Sequence, residues 1–106
     1  MNYEVKILPQ AWEDLASIAD WYKLFFSTDS AFKVTDSILS AISRLENFPE
    51  SGTMTPDDWL NQRGYHMVIA DKHAAIYRLI NDSIYVYHFF HMRQNYPEIF
   101  RGVEEK

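Results

Sequence analysis

Cysteine is absent from this sequence. That removes a disulfide framework, a thiolate nucleophile and the sulfur ligands of most structural zinc sites. The four histidines are dispersed at positions 66, 73, 88 and 91 and do not make a zinc signature. No metal and no cofactor are therefore expected. Long apolar runs are missing too, and nothing approaches the roughly 20 residues that cross a bilayer. The opening MNYEVKILPQAWED lacks an h-region and a small-residue cleavage site. No membrane association and a cytoplasmic location follow as expectations. A surplus of positive charge is also lacking, because ten Lys and Arg face fifteen Asp and Glu for a net charge of −5. Bulk electrostatics thus oppose a grip on phosphates, which depends on Lys and Arg displacing counterions.

What is present is enough to fold. Hydrophobic residues make up 47% and aromatics 16%, far from the composition of disordered chains. A length of 106 residues gives one modest core, so residues 1–106 are read as a single domain. The charge is uneven: residues 1–58 hold four Lys and Arg against ten Asp and Glu, and residues 59–106 hold six against five plus every histidine. An anion-facing surface belongs to the second half.

Tyr3 to Leu8 alternates as a half-buried strand, with Tyr3, Val5 and Ile7 opposed to Glu4 and Lys6. Pro9 suits the first position of a helix, and Glu13 and Asp14 lie in or near its first turn. Trp12, Leu15, Ala19, Tyr22 and Phe26 recur at helical steps. The run Ser27 to Ser30 supplies four residues of the N-cap type, so a second helix starts here. Its stripe is Ala31, Val34, Ile38, Ile42 and Leu45, and it ends near Asn47, before Pro49. The short connector implies an antiparallel helical hairpin. Phe48 to Asp58, with two prolines and Gly52, reads as a loop.

After Gly64 the residues favour strands: Tyr65 to Ala70, His73 to Ile80 and Ser83 to His91, with tight turns at Asp71-Lys72 and Asn81-Asp82. Tyr96 to Val103 reads as a short helix or a tail. The class is α+β in the order β-α-α-β-β-β, with a helical hairpin on a small, mainly antiparallel curved sheet. A two-residue turn at Asn81-Asp82 sets Arg78 opposite Tyr85, Ile76 opposite Tyr87 and Ala74 opposite Phe89 on one face. The other face pairs Tyr77 with Val86, Leu79 with Ile84 and Ala75 with His88. Both faces of the last strand are apolar, which makes it a central strand. The face carrying Tyr85, Tyr87 and Phe89 is the candidate for binding a partner, with burial under the C-terminal tail or in a homodimer as alternatives.

Ala11, Asp14-Leu15, Ile18 and Tyr22, then Ile42, Leu45, Phe48-Pro49 and Gly52, then Gly64-Tyr65, His73, Ile76-Tyr77-Arg78 and His91 together resemble the RelE/ParE toxin superfamily. The resemblance runs from about Tyr3 to Phe100. It implies a growth-inhibiting toxin of a type II toxin-antitoxin pair, of the kind also called plasmid stabilisation proteins, neutralised by a cognate antitoxin. RelE-like members cleave messenger RNA on the ribosome, and ParE-like members poison DNA gyrase. RNA cleavage needs acid and base groups and cations on the developing phosphorane. RelE-like nucleases carry an arginine three residues before the tyrosine matched by Tyr77 and another after the last strand; here those positions are Ala74 and Gln94. The sheet motifs are closer to ParE. Gyrase poisoning is therefore the leading expectation, and a ribosome-dependent endonuclease or a degenerate, non-toxic binding module are the alternatives.

If the chain is a nuclease, His91, Arg93 and Tyr96 are its candidate catalytic residues, since histidine titrates near neutrality and arginine forks onto phosphate. The plainer reading has His91 closing the sheet end and Arg93 pairing with a surface carboxylate. For antitoxin or target binding the candidates are Arg78, Tyr85, Tyr87, Phe89, Arg63 and His73. Core packing competes for the aromatics, a local cation-ring contact for Arg78, and plain solvation for His73, placed at a turn. His88 is expected to face the helices as a satisfied core residue.

Overall fold

A computed structural model describes residues 3–49, 52–55 and 57–93. The chain opens with strand β1 (Glu4–Ile7), followed by helices α1 (Pro9–Phe25) and α2 (Thr28–Arg44). Next come a two-residue strand β2 (Thr53–Met54), a short helix α3 (Asp58–Gln62) and strands β3 (His66–Ala70), β4 (His73–Ile80) and β5 (Ser83–His91). The strand order is β1-β5-β4-β3-β2, so β5 is interior as expected. β1 runs parallel to β5, and the remaining pairs are antiparallel.

Local chemistry accounts for the breaks. Pro9 opens α1 where its missing N–H costs nothing. Ser27 caps α2 by accepting the Ser30 N–H at 3.0 Å. Asp71 and Asn81 take the left-handed conformation (φ 59° and 56°), which Asp and Asn tolerate, and so close the two hairpins. The loop expected over Phe48 to Asp58 instead contains β2 and the start of α3, whose cap is Asp57 accepting from the Leu60 N–H. The tail read at Tyr96 to Val103 lies outside the described residues.

The helices cover one side of the sheet. Ala11, Leu15, Ile38, Ala41, Ile42 and Leu45 pack against Val68, Ala75, Tyr77, Ile84, Val86 and Phe89. In α1 the buried stripe is Ala11 and Leu15 flanked by Ile18, whereas Trp12 and Phe26 are half or more exposed. The expected stripe is thus one residue off, because α1 is apolar on several sides and periodicity alone does not single one out. On the opposite side α3 lies over the sheet: Leu60, Tyr65, Met67, Ala74, Ile76 and Phe90 form a second cluster bordered by Trp59 and Tyr87.

A β-bulge changes the expected pairing. Tyr77 meets Val86, Arg78 meets Tyr85 and Leu79 meets Ile84, as the turn demands. Between Ile76 and Tyr77 the register shifts, so Ile76 meets His88, Ala75 meets Phe89 and Ala74 meets Phe90. Tyr87 is the extra residue. The shift sends Phe89 into the helix-side core and Phe90 to the other face. Phe89 is therefore a core residue, 3% exposed, and not part of the candidate binding face.

Candidate functional site

The face opposite the helical hairpin gathers cations and rings. Arg78 projects from β4 and donates from Nε and Nη2 to the Tyr87 hydroxyl at 3.2 and 3.0 Å, and from Nη1 to the Arg63 carbonyl at 3.4 Å. Its guanidinium lies 4.8 Å from the Tyr65 ring and 5.4 Å from the Tyr87 ring. Arg63, just after α3, stacks over Trp59 at 3.7 Å and donates to the Trp59 carbonyl at 3.0 Å. Lys6 on β1 stands 5.5 Å from the Tyr85 ring. Arg78 lies over Tyr65 and Tyr87 rather than over Tyr85, its partner in register, and Tyr65 and Tyr87 meet edge to face at 5.2 Å.

This geometry fixes positive charge against aromatic rings and oxygen acceptors. Ring faces hold the cations electrostatically, and hydroxyl and carbonyl oxygens orient Arg78. Such a surface suits anionic or carbonyl-rich groups of another macromolecule, and planar arginine with Tyr and Trp is the composition of binding hot spots. Trp59, Tyr65 and the carbonyl of Arg63 complete the site, and none of these was picked out among the candidate side chains. The signal was Asp57, an N-cap three residues before Leu60, which announces the helical turn that presents Trp59.

His73 is not solvated at a turn. It is the first residue of β4, 4% exposed, packed 5.8 Å from the Tyr22 ring and 5.1 Å from the His91 ring. Burial, joined by the nearby His91 and by Lys72 and opposed by Asp71, lowers its pKa below the ordinary 6.5. His73 thus lies on the hairpin side of the sheet and not on the face that carries Arg78. His91 lies beside it on the same side, and its Nδ1 accepts the Arg93 N–H at 3.1 Å. His91 and Arg93 are thus neighbours, while Tyr96 and Gln94 lie outside the described residues.

His88 does face the helices. Its Nδ1 is 2.8 Å from Asp14 Oδ2, and the same carboxylate oxygen accepts the Phe89 N–H at 3.2 Å. Asp14 therefore holds α1 to the bulged part of β5 instead of complementing the helix dipole, and α1 has no acid in its first turn. Tyr77, the tyrosine of the Ile76-Tyr77-Arg78 motif, is fully buried and donates its hydroxyl to the Pro49 carbonyl at 3.0 Å. Ala74 sits in the apolar cluster beneath α3. No group of three or more potential metal ligands occurs among the described residues.

A helical hairpin covers one side of a small five-stranded sheet, and a tethered arginine with aromatic rings lies on the other. A sequence profile described as the ParE toxin of the type II toxin-antitoxin system parDE matches residues 5–96, and the chain belongs to that family. Among solved structures it is similar to one titled the chromosomal ParDE toxin-antitoxin system from P. aeruginosa. There the TM-score is 0.72 at 19% identity, over 84% of this chain and 95% of that one. It is also similar to the RelBE2 toxin-antitoxin complex from Mycobacterium tuberculosis, with a TM-score of 0.62 at 12% identity over 86% and 99% of the two chains. At these identities the likeness establishes the fold. No curated protein matches. No helix among the described residues is long and apolar enough to cross a membrane.

Proposed function

We propose that this chain is a gyrase-directed toxin of the ParE kind that acts by binding rather than by breaking bonds, and that a cognate antitoxin silences it by covering the Arg78 face. The observation that carries this reading is the fate of the family motif. Tyr77 is buried with its hydroxyl donated to Pro49, and Ala74, where the RelE-like nucleases resembled by this chain carry arginine, is packed in an apolar cluster. An in-line attack on phosphate needs a titratable group and cations converging on one phosphorus. Here Arg78 and Arg63 stand on one side of the sheet and the buried Tyr77 and His73 on the other, so of these groups only His91 has an arginine beside it, Arg93.

Induced expression followed by two assays tests the reading. Stalled gyrase-DNA cleavage complexes should accumulate, and primer extension on translated messages should reveal no new ends. Cut messages without gyrase complexes would reverse the assignment in favour of an endonuclease using His91, Arg93 and Tyr96. Normal growth in the absence of antitoxin would leave a binding module without toxicity.

A further inference from the structure

The second exposed aromatic surface of this molecule is the distal tip of the helical hairpin, far in composition from the cationic sheet face. Trp21, Leu24 and Phe25 at the end of α1, Phe26 at its cap and Phe32 in the first turns of α2 are 50%, 77%, 62%, 64% and 70% exposed. The rings hold one another: Trp21 packs on Phe25 at 5.0 Å and on Phe26 at 5.6 Å, and Phe26 stacks on Tyr22 at 5.6 Å. Rings already fixed by their neighbours lose little further freedom on association.

Area and charge indicate the occupant. Aromatic side chains bury about 150–250 Å² each, so four of them and a leucine at these exposures leave on the order of 600 Å² of apolar surface open. That is at the upper end of what a monomer shows and, with flanking polar atoms, approaches the roughly 800 Å² per partner of a standard stable interface. The charges around the tip are Asp20, Lys23, Asp29, Lys33 and Asp36, of which Asp29 and Lys33 pair at 3.2 Å. A surface for anionic lipid or a polyanion would be ringed with Lys and Arg. This one is nearly neutral on a chain of net charge −5, with both signs represented, so two copies can meet here without strong like-charge repulsion.

We infer that the hairpin tip is a self-association surface through which two copies of this chain form a symmetric dimer, leaving the Arg78 face of each copy open. The inference stands apart from the toxin reading. Sedimentation velocity on the full chain across the micromolar range tests it. Wild type should move from monomer to dimer as concentration rises. The double variant Leu24→Asp with Phe25→Asp, and separately Phe32→Asp, should weaken the dimer at least tenfold with an unchanged circular dichroism spectrum; having variants on both helices guards against one failing to fold. Arg78→Ala should dimerise as wild type does. A wild-type chain that stays monomeric throughout, or folded tip variants that dimerise normally, would overturn the inference. So would a tip shielded only when antitoxin is bound, and that outcome would assign the surface to the antitoxin.

Discussion

Tyr77 and Gly52 are fitted to each other at the back of the sheet. A Cβ on Gly52 would stand 2.4 Å from the Tyr77 hydroxyl oxygen and 2.8 Å from the Met67 carbonyl oxygen, so glycine here makes room for a buried hydroxyl and the strand beside it. The motif residue that first suggests chemistry therefore serves packing. His73 is the other residue whose surroundings decide its role. Its lowered pKa means that the folded chain binds a proton less readily than the unfolded chain does. Its contribution is neutral above the ordinary value of 6.5, and stability falls as the pH drops below that value, levelling off once the folded-state pKa has been passed. Chemical denaturation followed from pH 7.5 downward should show this decline, and His73→Gln should flatten it. An unchanged slope in the variant would assign the decline to other groups.

Among the elements, the junction of α1 with β5 depends most on a single side chain. The bulge exposes the Phe89 N–H where β1 has already ended, and Asp14 reaches from α1 to accept it together with His88 Nδ1. Removing an acceptor from a partly buried donor costs about 1–3 kcal/mol, so Asp14→Ala should lower stability by that order. Melting curves check it, and a variant as stable as wild type would show that the tie contributes little. The order of the two long helices and four long strands, both hairpin turns and the interior place of β5 were legible because each rests on local signals: proline, N-caps, and residues that tolerate positive φ. The bulge was not. Ser83 to His91 is apolar on both faces, so no alternation marks the extra residue, and Phe89 was assigned to the wrong side. The grouping of these side chains was partly legible, since Arg78, Arg63, Tyr85 and Tyr87 share the sheet face opposite the hairpin. Trp59 and Tyr65 were missed because only the five-residue helix α3 brings them there.

For the molecule as a whole, an acidic chain sets three of its ten Lys and Arg against aromatic rings on one sheet face. Arg78, Arg63 and Lys6 occupy one face of the sheet, the hairpin covers the other, and Ala74 and Tyr77 supply packing where a nuclease would need chemistry. The proposed function puts the antitoxin contact on the same rings that anchor Arg78. Truncating a central arginine of a binding surface costs about 2 kcal/mol or more, and tenfold in affinity corresponds to about 1.4 kcal/mol. Calorimetric titration of the cognate antitoxin into Arg78→Ala is the most direct test: affinity at least tenfold below wild type, with the fold intact, is the expected result, and wild-type affinity would contradict the placement of the binding face.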